Sequence, residues 1–365
     1  MRKQPLDAPF FLVLLALVVF GLLIFTSAAL GLLARGGATF TSVAVSQLLL
    51  GFLCGGVALV VLSRIDYRVW RPYTPYFFCL ALLLTALTFV PGIGLTLKGA
   101  ARWIAVGPVS FQPAELLKFA VVLLLAGIYA SRFRHIATFK GGILPLILVG
   151  GLSAGVLLLQ PDTDGAVVIL LACAVMLFAA GGRLRHLAAL ALVGLLVLGV
   201  AAYERPYLAE RFVTFLNHSA DPQGAGWQID QSLIAVGSGG WTGRGFGQSI
   251  EKFSYLPEPI GDSIFAVAAE EFGFVGSVAL VLLFAAFALL GLRIAARAPD
   301  PFGGLLVVGL TVMIVGQSFM NIASTLGLIP LSGLPLIFVS HGGTSLAIAL
   351  AEVGVILSVS CRMKS

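Results

Sequence analysis

The 365-residue sequence is 59% hydrophobic and only 10% charged, against about a quarter charged in a soluble protein, which excludes a water-soluble globular enzyme. A net charge of +6 does not mark a nucleic-acid binder, because the basic residues sit in short connections beside apolar runs, where they act as a topology signal.

The first apolar run, about residues 10–33, is too long for a signal-peptide core and lacks a clear cleavage site. It reads as a retained anchor. Nine more apolar segments follow, at about 42–63, 74–90, 113–131, 142–160, 165–181, 186–203, 263–294, 302–325 and 341–361. The predicted fold is an all-α polytopic membrane protein of about ten transmembrane helices in a single domain over 1–365. Cys54, Cys79, Cys173 and Cys361 all fall in or at the end of apolar segments, without metal-type spacing, and read as small core residues.

Alternate connections plus both termini hold 14 of the 22 Lys and Arg residues, and the opposite connections hold seven. The positive-inside tendency then puts both termini in the cytoplasm. Nine of the 16 acidic residues fall on the other, extracytoplasmic side, together with one long connection at about 204–262. A connection of that length is usually functional or disordered. Its turn signals, "DPQGAGWQ" and "GGWTGRGFGQS", predict ordered short helices within it.

Four stretches carry chemistry-bearing residues. In "KGAARWIAVGPVSFQPAELLKFA" (98–120), Pro113 suits a helix start, and Glu115 and Lys118 are three apart on one face. They read either as a structural ion pair or as the polar wall of a cavity, intramembrane charges being functional candidates by default. Lys98 and Arg102 lie just upstream and read either as ordinary headgroup contacts, Arg102 beside Trp103 resembling an interfacial anchor, or as cations where a lipid-linked phosphate would sit. In "LLQPDTDGAVV", Asp162 and Asp164 occupy a tight turn and are candidates for a helix cap. "IPLSGLPLIFVSHGGTS" (329–345) has two prolines and three glycines and reads as a re-entrant or cavity-lining segment holding Ser340 and His341. In "YLPEPIGDSIFAVAAEEFGF" (255–274), Asp262 stands at the mouth of an apolar run, as the N-cap of that helix, as a functional carboxylate or as both, with Glu270 and Glu271 inside the run. A carboxylate in lipid costs roughly 2.5–3.5 kcal/mol, so each glutamate needs a partner; Lys118 is one candidate for Glu271.

These pieces, in this order and spacing over nearly the whole chain, resemble the SEDS family, the FtsW, RodA and SpoVE group of bacterial division, shape and sporulation proteins. The run "GFGQSIEKFSYLPE" looks most like the division-type FtsW pattern. The resemblance implies polymerisation of lipid II, the undecaprenyl-pyrophosphate-linked disaccharide-pentapeptide, into glycan strands outside the membrane. It implies that Asp262 is the essential loop carboxylate, and that Arg102, Glu115, Lys118 and Asp162 form the family's polar set. Departures occur where the family usually has H-T-D-F (here Ile260-Gly261-Asp262-Ser263), L-G-T after Q-P-D (here Thr163-Asp164-Gly165) and S-Y-G-G (here Ser340-His341-Gly342-Gly343).

The expected site is thus Asp262 as catalytic base, with Lys98, Arg102, Glu115, Lys118, Asp162, Glu271, Ser340 and His341 around the substrate. No metal ligands are assigned, and a divalent cation, Mg or Mn, is kept as an additional candidate cofactor. The resemblance also implies a class B penicillin-binding protein partner for crosslinking, other divisome membrane proteins, and a place at the division septum. A lipid II flippase, an elongation polymerase of the RodA type and a non-enzymatic scaffold are the rival readings.

Overall fold

Long runs of Leu, Val and Phe with few polar interruptions leave each backbone to satisfy its own hydrogen bonds, which in lipid means helix. The computed structural model describes residues 6–34, 40–97, 100–106, 109–204, 206–217 and 224–363. All ten predicted segments are helical in it. Seven of the helices are long and apolar enough to cross a membrane: α1 (Ala8–Ala34), α2 (Val43–Arg64), α4 (Pro113–Ser131), α5 (Phe139–Leu159), α10 (Ile264–Ala296), α11 (Pro301–Thr325) and α12 (Gly343–Ser360). Three others complete the set: α3 (Thr74–Leu87), α6 (Thr163–Ala179) and α7 (Leu184–Glu204). The chain is a multi-pass, predominantly α-helical membrane protein.

Helix α11 is the hub, packed against α4, α6 and α10. Of its most apolar stretch 78% is buried, against 22% for α10 and 17% for α2. Its sequence explains the difference. Thr311, Gln317, Ser318, Asn321, Ser324 and Thr325 are all buried on α11, and polar side chains in a membrane turn toward the bundle interior. Leucine-rich α10 and α2 can face lipid at no such cost. On the other side of the bundle α2 lies along α12, where a Cβ at Gly55 would come within 2.8 Å of the Ala347 Cα. Only a glycine permits that approach.

One connection departs locally from the all-helical pattern. The connection before α4 is a three-stranded antiparallel sheet of β1 (Gly94–Leu97), β2 (Ala100–Val106) and β3 (Val109–Phe111), with Gly94 opposite Ile104 and Ile104 opposite Phe111. The alternating apolar side chains of "ARWIAV" suit a strand, and only a few residues were needed to form the hairpins. The sheet stands over the start of α4 and carries Arg102.

The long connection is ordered where it is described, as the turn signals predict: α8 (Pro206–Leu216), α9 (Ala225–Ser238) and a single helical turn at Glu251–Ser254. It also repairs a break in α10. Gly273 has φ 64° and ψ −163°, a conformation open to glycine, and frees backbone groups that lipid cannot satisfy. The glycine-rich run supplies the partners. Phe274 N donates to Gly240 O (2.8 Å), Val275 N to Trp241 O (3.1 Å), Arg244 N to Glu270 O (3.0 Å) and Gly245 N to Glu271 O (3.0 Å).

Candidate active site

The site is assembled at one end of the bundle from the sheet, the 160–164 turn, the 258–263 turn and the broken segment between α11 and α12. Asp262 stands one residue ahead of Ser263, the cap of α10. Ser263 makes no side-chain cap bond. Asp262 is fixed through its backbone. Its carbonyl accepts from Asn321 Nδ2 at 2.9 Å and from Thr325 Oγ1 at 3.3 Å, both on α11. Immediately before it Ser340 Oγ donates to Gly261 O (2.8 Å) and His341 N to Ile260 O (2.7 Å).

The segment 329–342 is held by the polar face of α11. Asn321 Nδ2 also donates to Leu334 O (2.8 Å), Gln317 Nε2 to Pro335 O (3.3 Å), and Ser324 lies 3.3 Å from Ser332. Gln47 of α2 closes the far side, donating to Ser340 O (3.3 Å) and accepting from Gly342 N (3.0 Å). Irregular backbone at this depth is tolerated because protein groups satisfy it.

The Q-P-D turn joins the same site. Asp162 caps α6, accepting from Gly165 N at 3.2 Å. Arg102 reaches from β2, its Nε donating to Gln160 O at 3.1 Å and its Nη2 to Pro161 O. Burial pushes the Asp162 carboxyl up from the ordinary carboxylate range, while the Arg102 and Lys118 charges pull it down. Asp164 accepts from Arg211 of α8 (3.1 Å) and from Gly333 N (3.0 Å). A Cβ built on Gly333 would lie 3.9 Å from the Asp262 Oδ2. Gly333 is therefore the point on which Asp164 and Asp262 converge.

Deeper in the bundle, Lys118 Nζ donates to Glu115 Oε1 (2.7 Å) and to Gln317 Oε1 (2.5 Å). Beside them is a cavity of about 10 Å³ lined also by Ser345 and Glu352, room for about one water. Glu352, buried and with no hydrogen bond among the described residues, gives this cluster two carboxylates for one ammonium.

Glu271 is not part of this site. The expected pairing with Lys118 is replaced by Lys252 Nζ at 2.5 Å and Ser27 Oγ at 2.6 Å. Lys252 also donates to Ser27 (2.8 Å). Glu270 accepts from Ser249 Oγ (2.6 Å) and Ile250 N (3.0 Å), with Arg244 at 3.4 Å. Both glutamates thus find their compensation in the long connection, which returns Lys252 into the bundle to meet them. Lys98 lies outside the described residues.

The described residues contain no group of three or more His, Cys, Asp or Glu side chains able to hold a metal ion, so Mg or Mn has no ready-made protein cage there. Several polar atoms at the site are buried with no partner among the described residues: Gln160 Oε1, Asn321 Oδ1 and His341 Nε2. Unpaired buried polar groups are rare, and at a site they are the atoms a ligand would engage. Burial depresses His341 below its ordinary value, against the raising influence of Glu258; the neutral ring stacks on Phe25 at 6.4 Å. The sequence reading missed Gln47, Gln317, Asn321 and Glu352. The spacing of Gln317, Asn321, Ser324 and Thr325 along one face of an apolar run was the available signal.

Comparison with known proteins gives this geometry its context. A family model described as "Cell cycle protein", that of the FtsW, RodA and SpoVE proteins, matches residues 7–365. The stage V sporulation protein E of Bacillus subtilis is 40% identical over 306 residues, 84% of each chain. A probable peptidoglycan glycosyltransferase FtsW of Trichlorobacter lovleyi is 36% identical over 366 residues, covering 100% of this chain and 95% of its own. Among solved structures, a chain of a peptidoglycan synthase complex that coordinates polymerisation and crosslinking superposes with a TM-score of 0.79 at 30% identity, over 97% of both chains. The rod shape determining protein RodA of Thermus thermophilus gives 0.67 at 29% identity, over 96% of this chain and 97% of its own. The chain belongs to the FtsW/RodA/SpoVE family, the SEDS membrane proteins.

Proposed function

We propose that this chain is a peptidoglycan glycosyltransferase that polymerises lipid II into glycan strands at the outer face of the bacterial cytoplasmic membrane, in cell division. The reaction class is supported by FtsW relatives named as peptidoglycan glycosyltransferases and by the likeness to a synthase-complex chain. With both termini cytoplasmic, the sheet, the long connection and Asp262 face outward, where the polar headgroup of lipid II is presented.

Asp262 is the general base. It takes the proton from the 4-hydroxyl of the acceptor GlcNAc as that oxygen attacks the anomeric carbon of the donor with inversion, a contribution of about 10²- to 10⁴-fold. The anomeric C–O bond breaks and undecaprenyl pyrophosphate leaves with the electron pair. That leaving group needs no proton but does need cations. Arg102, held against the Gln160–Pro161 carbonyls, and Lys98 are assigned to it. Lys118 supplies further positive potential, Glu115 fixes Lys118, and Asp162 holds the turn whose carbonyls receive Arg102. Ser340 and His341 hold the turn of Asp262 and line the acceptor side. Glu271 is assigned to anchoring the long connection.

The carrying observation is the clamp on Asp262: four hydrogen bonds to the carbonyls of residues 260–262, from Ser340, His341, Asn321 and Thr325. A base must be held to within a fraction of an ångström of its proton, and a flippase has no need of such a fixture. Crosslinking falls to a single-span class B penicillin-binding protein, and other divisome membrane proteins complete the septal assembly.

The test is to mix the purified chain, its transpeptidase partner with that partner's active site blocked by a β-lactam, and fluorescent lipid II. Long glycan chains that neither the partner alone nor buffer produces are expected. If no chains form while the same preparation moves fluorescent lipid II across liposomes, transport replaces polymerisation.

A further inference from the structure

A second feature lies at the opposite end of the bundle from Asp262, where α2 ends at Arg64 and α3 begins at Thr74. A groove of about 400 Å³ opens there between α2, α3 and α4. Trp70, Tyr73, Tyr76, Phe77, Leu80 and Phe119 are among its lining. The volume falls within the roughly 300–1,000 Å³ of small-ligand sites. Its rim faces outward, with Tyr76 75% and Tyr73 59% exposed. Trp and Tyr in such numbers belong at the level of lipid headgroups.

The charges around the groove select among lipids. Arg68 is taken by Asp300 at 2.9 Å. Arg64, two residues beyond the lining residue Leu62, and Arg71, inside the lining run, are both exposed. Neither has an acidic partner among the described residues. An apolar groove with two uncompensated guanidiniums at its mouth matches a molecule with an alkyl chain and an anionic head.

We infer that this groove binds one anionic glycerophospholipid, an acyl chain among the aromatic side chains and the phosphate on Arg64 and Arg71. The site is separate from the Asp262 site and does not depend on the reaction proposed for it. Its occupant is a constituent of the leaflet in which the groove opens, not the substrate.

Trp70 is a built-in reporter, since bromine on an acyl chain quenches a tryptophan it touches. The full chain is reconstituted in vesicles of fixed phosphatidylglycerol and phosphatidylcholine content, with the bromine carried by one lipid or the other. The Trp70 signal is taken as the difference between wild type and W70F, or directly from W103F/W227F/W241F, in which Trp70 is the one tryptophan left. Stronger quenching is expected when the bromine is on phosphatidylglycerol. R64Q and R71Q should each weaken that preference about fivefold, while R293Q/R297Q, at the same end of the bundle, leaves it intact. Equal quenching by both lipids, or an equal loss in R293Q/R297Q, would mean ordinary boundary lipid and overturn the inference. Displacement of brominated phosphatidylglycerol by a few mole per cent of undecaprenyl phosphate would assign the groove to a polyprenyl chain and also overturn it.

Discussion

Two buried charged clusters occupy this bundle, and they differ in composition and surroundings. Around Lys252, two cations (Arg244 and Lys252) face Glu270 and Glu271, with Glu251 close enough to act on Glu270 and Arg244, and Lys252 and Glu271 are both 0% exposed. Around Lys118, one cation faces Glu115 and Glu352, next to a water-sized cavity and under the segment that clamps Asp262. The first gives each glutamate of α10 a cation of its own and is closed around a joint between α1, α10 and the long connection. The second has a surplus carboxylate, space and a polar path to the site. What separates the two clusters is the dedicated cation for each α10 glutamate in the first and the room beside the shared cation in the second.

The largest expected effect breaks the first cluster. Lys252→Met strands Glu271 and should cost about 3–5 kcal/mol of stability, whereas Lys252→Met with Glu271→Leu, which removes both charges, should recover most of it. Thermal melting in detergent reads both. If the double variant is no more stable than the single one, the cluster is not a simple pair and the contrast with Lys118 loses its basis.

Lys118→Met should also destabilise, but here Glu352 enters. Because Glu352 shares the single ammonium with Glu115, Lys118→Met and Glu352→Leu should couple by roughly 0.5–3 kcal/mol, the double variant being the more stable. Zero coupling in a double-mutant cycle would separate Glu352 from the cluster. Neither double variant is equivalent in function: the one at Lys252 should polymerise lipid II if folded, and the one at Lys118 should not.

A smaller effect is expected at Gly333. Alanine there meets Asp262 Oδ2 at 3.9 Å, an ordinary contact, so stability should change by no more than about 0.5 kcal/mol. The added methyl nonetheless sits where Asp164 and Asp262 converge, and kcat should fall with little change in melting temperature. An unchanged kcat would place the substrate elsewhere.

The smallest effect is in pH. His341 is depressed below its ordinary 6.5 by burial, so the unfolded chain binds the proton more readily than the folded one. Stability contributed by neutral His341 is present above pH 6.5 and is lost as the pH falls through the lower folded value. His341→Tyr should remove that part of the acid-side slope, read from melting curves between pH 7 and pH 5.

The sequence made the ten helices legible because apolar runs of near-spanning length are an unambiguous signal. It also located Asp262, Arg102, Asp162, Ser340 and His341 near one another through their motifs. It did not reveal the sheet, since strands of three to seven residues carry too few alternations to stand out in an apolar context. Nor did it find the partner of Glu271. Lys252 lies in an aqueous-looking connection, and only the return of that connection into the bundle brings it to the glutamate. Glu352 went unread because a lone carboxylate in "ALAEVG" has no local partner; Lys118 is supplied by another helix.

The most direct test of Asp262 as the base is Asp262→Asn, which keeps the shape of the side chain and leaves the clamping carbonyls in place. The initial rate of lipid II polymerisation should be measured with the partner transpeptidase present, alongside melting temperature. The expected result is a wild-type melting temperature with the rate reduced by about 10²-fold or more. A folded Asp262→Asn protein that polymerises lipid II at the wild-type rate would contradict the assignment outright.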